Sequence, residues 1–131
     1  MERSVVTLKT AKKLEAVGWP TDPEFAWVPY TQGDVWRGDL DVHWQVEPYH
    51  GQSDVVRAPT AQEIADQLPK HKDGKWLSIE WDGIADEPEE WFAKFLDVSG
   101  HDGPVTHAPT MAEALALLWL KLKETGDGKA D

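Results

Sequence analysis

Two segments of the chain, fifty residues apart, carry the same transition from extended backbone to helix. Residues 55–63 and residues 105–113 each contain Ala-Pro-Thr, with a glutamate three positions after the threonine. A threonine N-cap and a glutamate at the third helical position accept hydrogen bonds from each other's backbone amides in a capping box. We therefore predict that helices begin at Thr60 and at Thr110. The recurrence fits two related halves, and it also fits a common way of starting a helix, so no function follows from it.

Hydrophobic spacing predicts another helix near the beginning of the sequence. Residues 7–17 place apolar side chains along one stripe and leave lysines for the solvent. Gly18 can adopt the left-handed conformation that ends a helix, and Pro20 prevents its continuation. We expect Trp19, which follows the glycine, to pack back on Leu14.

The two capped helices differ in their predicted environment. The helix that begins at Thr60 is short and amphipathic, and Pro69 ends it. The helix that begins at Thr110 is apolar on more than one face, so we predict that it is buried and central. Gly126 can end it, and residues 127–131 are expected to form a loose tail because they have nothing to bury.

The rest of the sequence has the signals of short strands. Residues 20–51 read as a meander in which residues 41–46 alternate between apolar and polar side chains. Residues 76–82 and 91–98 read as two further strands, and the second is expected to be central because both of its faces are apolar. The prediction is one α+β domain, residues 1–131, with an antiparallel sheet of short strands packed with three helices.

Charge and composition exclude several classes of function. The chain has 24 acidic and 13 basic residues, and its formal net charge of -11 argues against generic binding to nucleic-acid backbones. It has no cysteine, which excludes disulfides, thiolate metal sites and cysteine nucleophiles. The first residues lack the apolar core of a secretory signal, and the longest apolar run, residues 114–120, is too short to span a membrane. We expect a cytoplasmic protein that binds no cofactor.

The densest charged feature is a group of six carboxylates within eleven residues, followed directly by a tryptophan. Such a group must be solvated, and it is typical either of a solubilising loop or of a docking surface for a basic partner protein. We expect the basic residues between positions 70 and 75 to lie near it and to neutralise it in part. The candidate partner-binding residues are Glu80, Asp82, Asp86, Glu87, Glu89, Glu90 and Trp91.

Tryptophan is unusually frequent, with eight residues in the chain. Most are expected to lie in the core, where each indole buries a large apolar area. Trp27, Trp36 and Trp91 are the predicted exceptions, because their segments are irregular or apolar on both faces. Exposed indoles of this kind would suit a platform for sugars or for a partner chain.

Patterns that indicate catalysis or metal binding are weak. The five histidines form no helical pair of the kind that binds zinc. Asp39, Asp41 and His43 would share one face of a strand, but polar residues on the wet side of a strand have the same spacing. Residues 99–102 contain serine, histidine and aspartate without the strand-to-helix turn of a nucleophile, and read as a turn. No catalytic residue and no metal ligand is predicted.

Three segments together resemble a group of small proteins from bacteriophage, prophage and bacterial genomes. They are residues 7–20, with Gly-Trp-Pro at their end, residues 58–64, and residues 110–120. The shared positions are helix caps and core residues. The group is uncharacterised, so the resemblance implies no role for any individual residue.

The function expected from these features is that of a non-catalytic intracellular accessory or interaction protein of phage origin. One alternative is an acidic inhibitor that imitates nucleic acid and occupies a basic groove on a host or defence protein. A second alternative is an aromatic carbohydrate-binding module, and an enzyme is the third. Pairing of an exposed strand with a second copy would also allow a homodimer.

Overall fold

Helices alternate with groups of short strands along the chain, as expected for an α+β protein. The computed structural model describes residues 5–31, 42–49, 51, 55–72, 74–82, 90–96 and 102–125. The helices within these ranges are α1 Leu8–Val17, α2 Ala61–Gln67 and α3 Met111–Thr125. The strands are β1 Phe25–Thr31, β2 Val42–Pro48, β3 Val56–Arg57, β4 His71–Lys72, β5 Lys75–Asp82, β6 Glu90–Leu96 and β7 Asp102–Ala108. The predicted α+β class is confirmed, and the predicted tail at 127–131 lies outside the described residues.

The strands form two antiparallel sheets rather than one. The first has the order β2-β1-β3 and the second the order β4-β5-β6-β7. The prediction that the strand after residue 90 is internal to its sheet is confirmed, because β6 lies between β5 and β7. The first sheet has its earliest strand in the middle, whereas the second follows chain order. The two halves that end in Ala-Pro-Thr are therefore connected differently in the described strands, and what they share is the helix start.

The predicted end of α1 is confirmed in detail. Gly18 has φ 96° and ψ 54°, the left-handed conformation. The Trp19 N–H donates to the Leu14 carbonyl at 3.0 Å, and the Gly18 N–H donates to the Glu15 carbonyl at 3.1 Å. These two bonds satisfy carbonyls that the last helical turn leaves without partners, which is the Schellman arrangement.

The two predicted capping boxes have different outcomes. At α2 the box is complete: Thr60 Oγ1 accepts from the Glu63 N–H at 3.2 Å, and Glu63 Oε1 accepts from the Thr60 N–H at 2.8 Å. At α3 Thr110 Oγ1 accepts from the Glu113 N–H at 3.2 Å, so the helix begins where predicted. The carboxylate of Glu113, however, bonds to α1 instead of returning to the N-cap amide.

Glu113 connects the N-terminal ends of α1 and α3. Its Oε1 accepts from the Thr7 N–H at 2.5 Å, and its Oε2 accepts from the Thr10 hydroxyl at 2.7 Å. Thr7 is the N-cap of α1, so its amide is one of the donors that a helix start leaves unsatisfied. A carboxylate at this position also interacts favourably with the helix dipole.

The core is built around α3, as predicted from its apolar faces. This helix packs against α1, α2, β6 and β7. Trp119 from α3 meets Trp19 edge to face, with ring centroids 5.1 Å apart. No helix in the described part of the chain is long and apolar enough to cross a membrane. The buried α3 side chains are Ala112, Ala114, Leu115, Ala116, Leu118, Trp119, Leu120 and Leu122.

Candidate interaction surface

The second sheet has one face turned toward α3 and one turned away from it. On β6, Ala93 and Phe95 are buried. Helix α3 packs against β6 and β7 on the face that carries these two side chains. Successive side chains of a strand point to opposite faces, so Phe92 and Lys94 lie on the other face. We call this second face, away from α3, the outer face. Its described side chains are His71, Trp76, Ser78, Glu80, Glu90, Phe92, Lys94, Leu96, Val105 and His107, by strand register.

Aromatic side chains lie between charged ones on the outer face. Glu80 is opposite Phe92, and Phe92 is opposite His107. The Phe92 and His107 rings are 5.6 Å apart between centroids. Trp76 meets His71 edge to face at 5.4 Å and keeps 49% of its surface exposed. An indole that is half in solvent on a sheet face is a feature of binding surfaces.

The carboxylates that the structure describes on the outer face have basic partners. Lys94 Nζ lies 3.0 Å from Glu80 Oε2, and His107 Nδ1 contacts Glu90 Oε1. The prediction that basic residues between positions 70 and 75 neutralise the acidic group is wrong for the described Glu80 and Glu90, because the β4–β5 hairpin lies at the opposite end of β5 from Glu90. The partners come from β6 and β7, which follow later in the chain. Exposed pairs of this kind contribute little to stability, but they give the face a mixed charge pattern.

The predicted partner-binding residues do not form one surface. Glu80 and Glu90 lie on the outer face, and the backbone of Asp82 pairs with Glu90. Trp91 is opposite Trp81 on the face toward α3, where it packs half-buried against the core. Trp91 therefore lies on the opposite face from Glu80 and Glu90, because adjacent residues of a strand face opposite ways. The remaining three, Asp86, Glu87 and Glu89, lie outside the described residues.

The prediction of exposed tryptophans is corrected at two positions. Trp27 is buried, and its Nε1–H donates to the Val6 carbonyl at 2.9 Å. Trp91 is half-buried, and Trp36 lies outside the described residues. Among the tryptophans that the structure describes, the exposed ones are Trp76, at 49%, and Trp81, at 55%. Sequence reasoning missed them because β5 has apolar residues at core spacing, and only the packing shows that α3 lies over β6 and β7.

The possible metal site at Asp39, Asp41 and His43 lies mostly outside the described residues. Asp39 and Asp41 lie outside the described residues, and His43 is described by its backbone in β2. Within the described ranges, no group of three histidine, aspartate or glutamate side chains is placed to hold a metal ion.

The fold and this surface define an α+β protein in which the described helices pack on one face of the second sheet only. Comparison with protein-family models, curated proteins and solved structures finds no match to this chain.

Proposed function

We propose that this chain is a non-catalytic interaction protein of phage origin, and that its outer face contacts a partner protein. The observation that carries the proposal is the half-exposed Trp76 on a sheet face from which α3 is turned away. A partner that covers this indole would remove a large apolar area from water. Tryptophan is also enriched among residues that dominate binding energies.

The charge pattern of the outer face favours a partner of mixed charge. Glu80 pairs with Lys94 and Glu90 contacts His107, so acidic and basic groups alternate across three strands. A nucleic-acid mimic needs a surface of acidic groups without basic neighbours, and the described carboxylates do not supply one. We therefore favour an ordinary protein interface over the inhibitor alternative.

The carbohydrate-module alternative has less support from the tryptophans. A sugar-binding platform needs exposed indoles side by side on one face. Trp76 and Trp81 are five residues apart on β5, and this odd spacing places them on opposite faces of the sheet. Their arrangement suits a protein contact on one face better than a shared platform.

The two exposed tryptophans provide a matched test. We would compare the wild-type protein with Trp76→Ala and Trp81→Ala in affinity capture from a lysate of the native host, at low and high salt. The partner is expected to bind wild-type protein and Trp81→Ala, whereas Trp76→Ala lowers the affinity by about thirtyfold or more, the range of an interface hot spot. Thermal unfolding of both variants controls for folding.

The same experiment separates the alternatives. Equal retention of every partner by Trp76→Ala and the wild type would contradict the proposal. Loss of binding by more than about a hundredfold between the two salt concentrations would favour the acidic inhibitor, because counterion effects dominate binding to a strongly basic groove.

A further inference from the structure

A second surface, which shares Val105 and His107 with the outer face, lies between α1, α3 and the edge of the second sheet. It is a groove of about 620 Å³, open to solvent on one side. Apolar side chains from both helices form much of its lining, and one of them, Val17, is 46% exposed. The helical lining residues are Lys13, Ala16, Val17, Leu117, Leu120, Lys121 and Glu124.

The third side of the groove is β7, the last strand of its sheet. Val105, Thr106 and His107 line the groove. β7 pairs with β6 on one side, and no described strand pairs with its other side, where the order β4-β5-β6-β7 ends. A strand at an edge presents a row of backbone N–H and C=O groups to whatever lies next to it.

Hydrogen-bond alternation identifies which β7 residues face the groove. The Leu77 N–H donates to the Lys70 carbonyl. The backbone N–H and C=O groups of Leu77, and of every second β5 residue from it, are therefore directed toward β4. The intervening β5 residues point toward β6. Carried through the strand register, this alternation directs the backbone groups of Thr106 and Ala108 toward β6. Their neighbours on β7 must point the opposite way.

Val105 and His107 are these neighbours, and they direct their amides and carbonyls away from the sheet. An independent contact agrees: Lys121 Nζ from α3 lies 3.4 Å from the Val105 carbonyl oxygen, on the groove side. Within the described part of the chain, neither the Val105 N–H nor the His107 N–H has a backbone acceptor. An extended segment in the groove would supply one for each.

A proline and a register shift limit the length of this edge. Pro109, the next residue after Val105 and His107 in the outward alternation, has no N–H, and the β6–β7 register shifts beyond the Lys94–Val105 pair, so the regular outward amides are those of Val105 and His107. The resulting window is too short for a long sheet-to-sheet contact between two copies. It suits a short linear segment whose side chains enter the groove in alternation.

The rim of the groove differs in charge from the molecule as a whole. Among the described lining residues, Lys13 and Lys121 are basic and Glu124 is acidic, whereas the chain carries a net charge of -11. A local excess of positive charge favours a ligand with carboxylates. The apolar wall around Val17 favours a ligand with aliphatic side chains between them.

From these observations we infer that the groove binds an extended peptide segment of a partner protein, which adds as a strand to the edge of β7. The segment carries aliphatic residues that pack on Val17 and Leu117, and acidic residues that face Lys13 and Lys121. Its backbone pairs with Val105 and His107. This is the recognition mode in which main-chain bonds provide affinity and the flanking groove provides specificity.

Selection from a displayed library of random dodecapeptides tests the ligand chemistry. We would select in parallel on the wild type, on Val17→Glu and Lys13→Glu, and on the control Lys9→Glu. Lys9 is exposed on the same helix but does not line the groove. The expected peptides combine acidic and aliphatic residues, lose at least about tenfold in affinity with either groove variant, and lose less than about threefold with the control. Absence of enrichment, enrichment of basic peptides, or equal binding to Val17→Glu would overturn the proposal.

Amide hydrogen exchange with a selected peptide tests the strand addition itself. The Val105 and His107 amides should exchange at least about tenfold more slowly in the complex, while Thr106 and Ala108, already paired to β6, should change little. Binding without this alternation would overturn strand addition. Protection of the Val105 and His107 amides without peptide would also overturn the proposal. Protection that rises with protein concentration would mean that a second copy pairs with the edge. Protection independent of concentration would mean that another segment of the same chain pairs with it.

Discussion

The starts of α2 and α3 have the same local sequence pattern and different tertiary roles. Thr60 and Glu63 satisfy each other's amides within α2, and the second oxygen of Glu63 accepts from the Glu24 N–H at 2.8 Å. Glu113 instead gives both oxygens to α1. A threonine with a glutamate three residues later therefore determines where a helix begins. The surrounding structure decides which donors the glutamate carboxylate accepts hydrogen bonds from.

The largest expected effect follows from removing the carboxylate that connects α1 and α3. Glu113→Ala should lower the free energy of unfolding by about 3 kcal/mol, because two charge-assisted hydrogen bonds are lost. The buried hydroxyl of Thr10 would also lose its carboxylate acceptor. Urea denaturation measures the change. Glu124→Ala, at an exposed position of the same helix, is the control and should change stability by less than about 0.5 kcal/mol. Equal effects at the two positions would show that the connection to α1 contributes nothing.

The equivalent change at α2 should be smaller. Glu63→Ala should cost about 1.5 kcal/mol, because both of its donors are backbone amides, one local to the helix start and the other the exposed Glu24 N–H, whereas Glu113 also accepts from the buried Thr10 hydroxyl. Water can replace the carboxylate at the Glu24 amide. Urea denaturation under identical conditions gives the comparison with Glu113→Ala. A larger loss at Glu63 than at Glu113 would reverse the proposed ranking.

The threonine caps should contribute alike in both helices. Thr60→Ala and Thr110→Ala should each lower the free energy of unfolding by about 1 kcal/mol, because each hydroxyl accepts from the third helical amide at 3.2 Å. Thr→Ser at either position keeps the acceptor and should recover most of the loss. A difference of more than about 1 kcal/mol between the two alanine variants would mean that the caps are not equivalent.

The smallest expected effect, the coupling energy between threonine and glutamate, distinguishes the starts of α2 and α3 most directly. In a double-mutant cycle, Thr60 and Glu63 should couple by about 0.5 kcal/mol or more, because they share one capping box. Thr110 and Glu113 should couple by less than about 0.3 kcal/mol, because the Glu113 carboxylate bonds to α1. Each cycle compares the unfolding in urea of four proteins: the wild type, the two single variants and the double variant. Similar values for the two pairs would contradict the structural difference.

Much of the fold could be predicted from the sequence. The end of α1 at Gly18, the starts at Thr60 and Thr110, the central position of α3 and the internal position of β6 were predicted and are observed. Each depends on residues close together in the chain or on the side-chain period of one element. Such signals act over a few residues, so they can be read without knowledge of neighbours.

The candidate surfaces could be predicted only in part. Glu80 and Glu90 were chosen as a contact surface, and their pairing with Lys94 and His107 could not be read from the sequence because it depends on strand register. The face of Trp91 could have been found from strand alternation alone. The groove beside β7 had no local signal, because it is formed where α1, α3 and a sheet edge meet.

The sequence by itself determined where the helices begin and end and which elements have apolar faces, because capping bonds and side-chain periodicity are local. Only the tertiary structure decided that Trp27 is buried while Trp76 and Trp81 are exposed, and that Glu113 holds α1. The physical reason is that burial and hydrogen-bond partners depend on which elements pack together, and a residue's own neighbours in the chain do not contain that information.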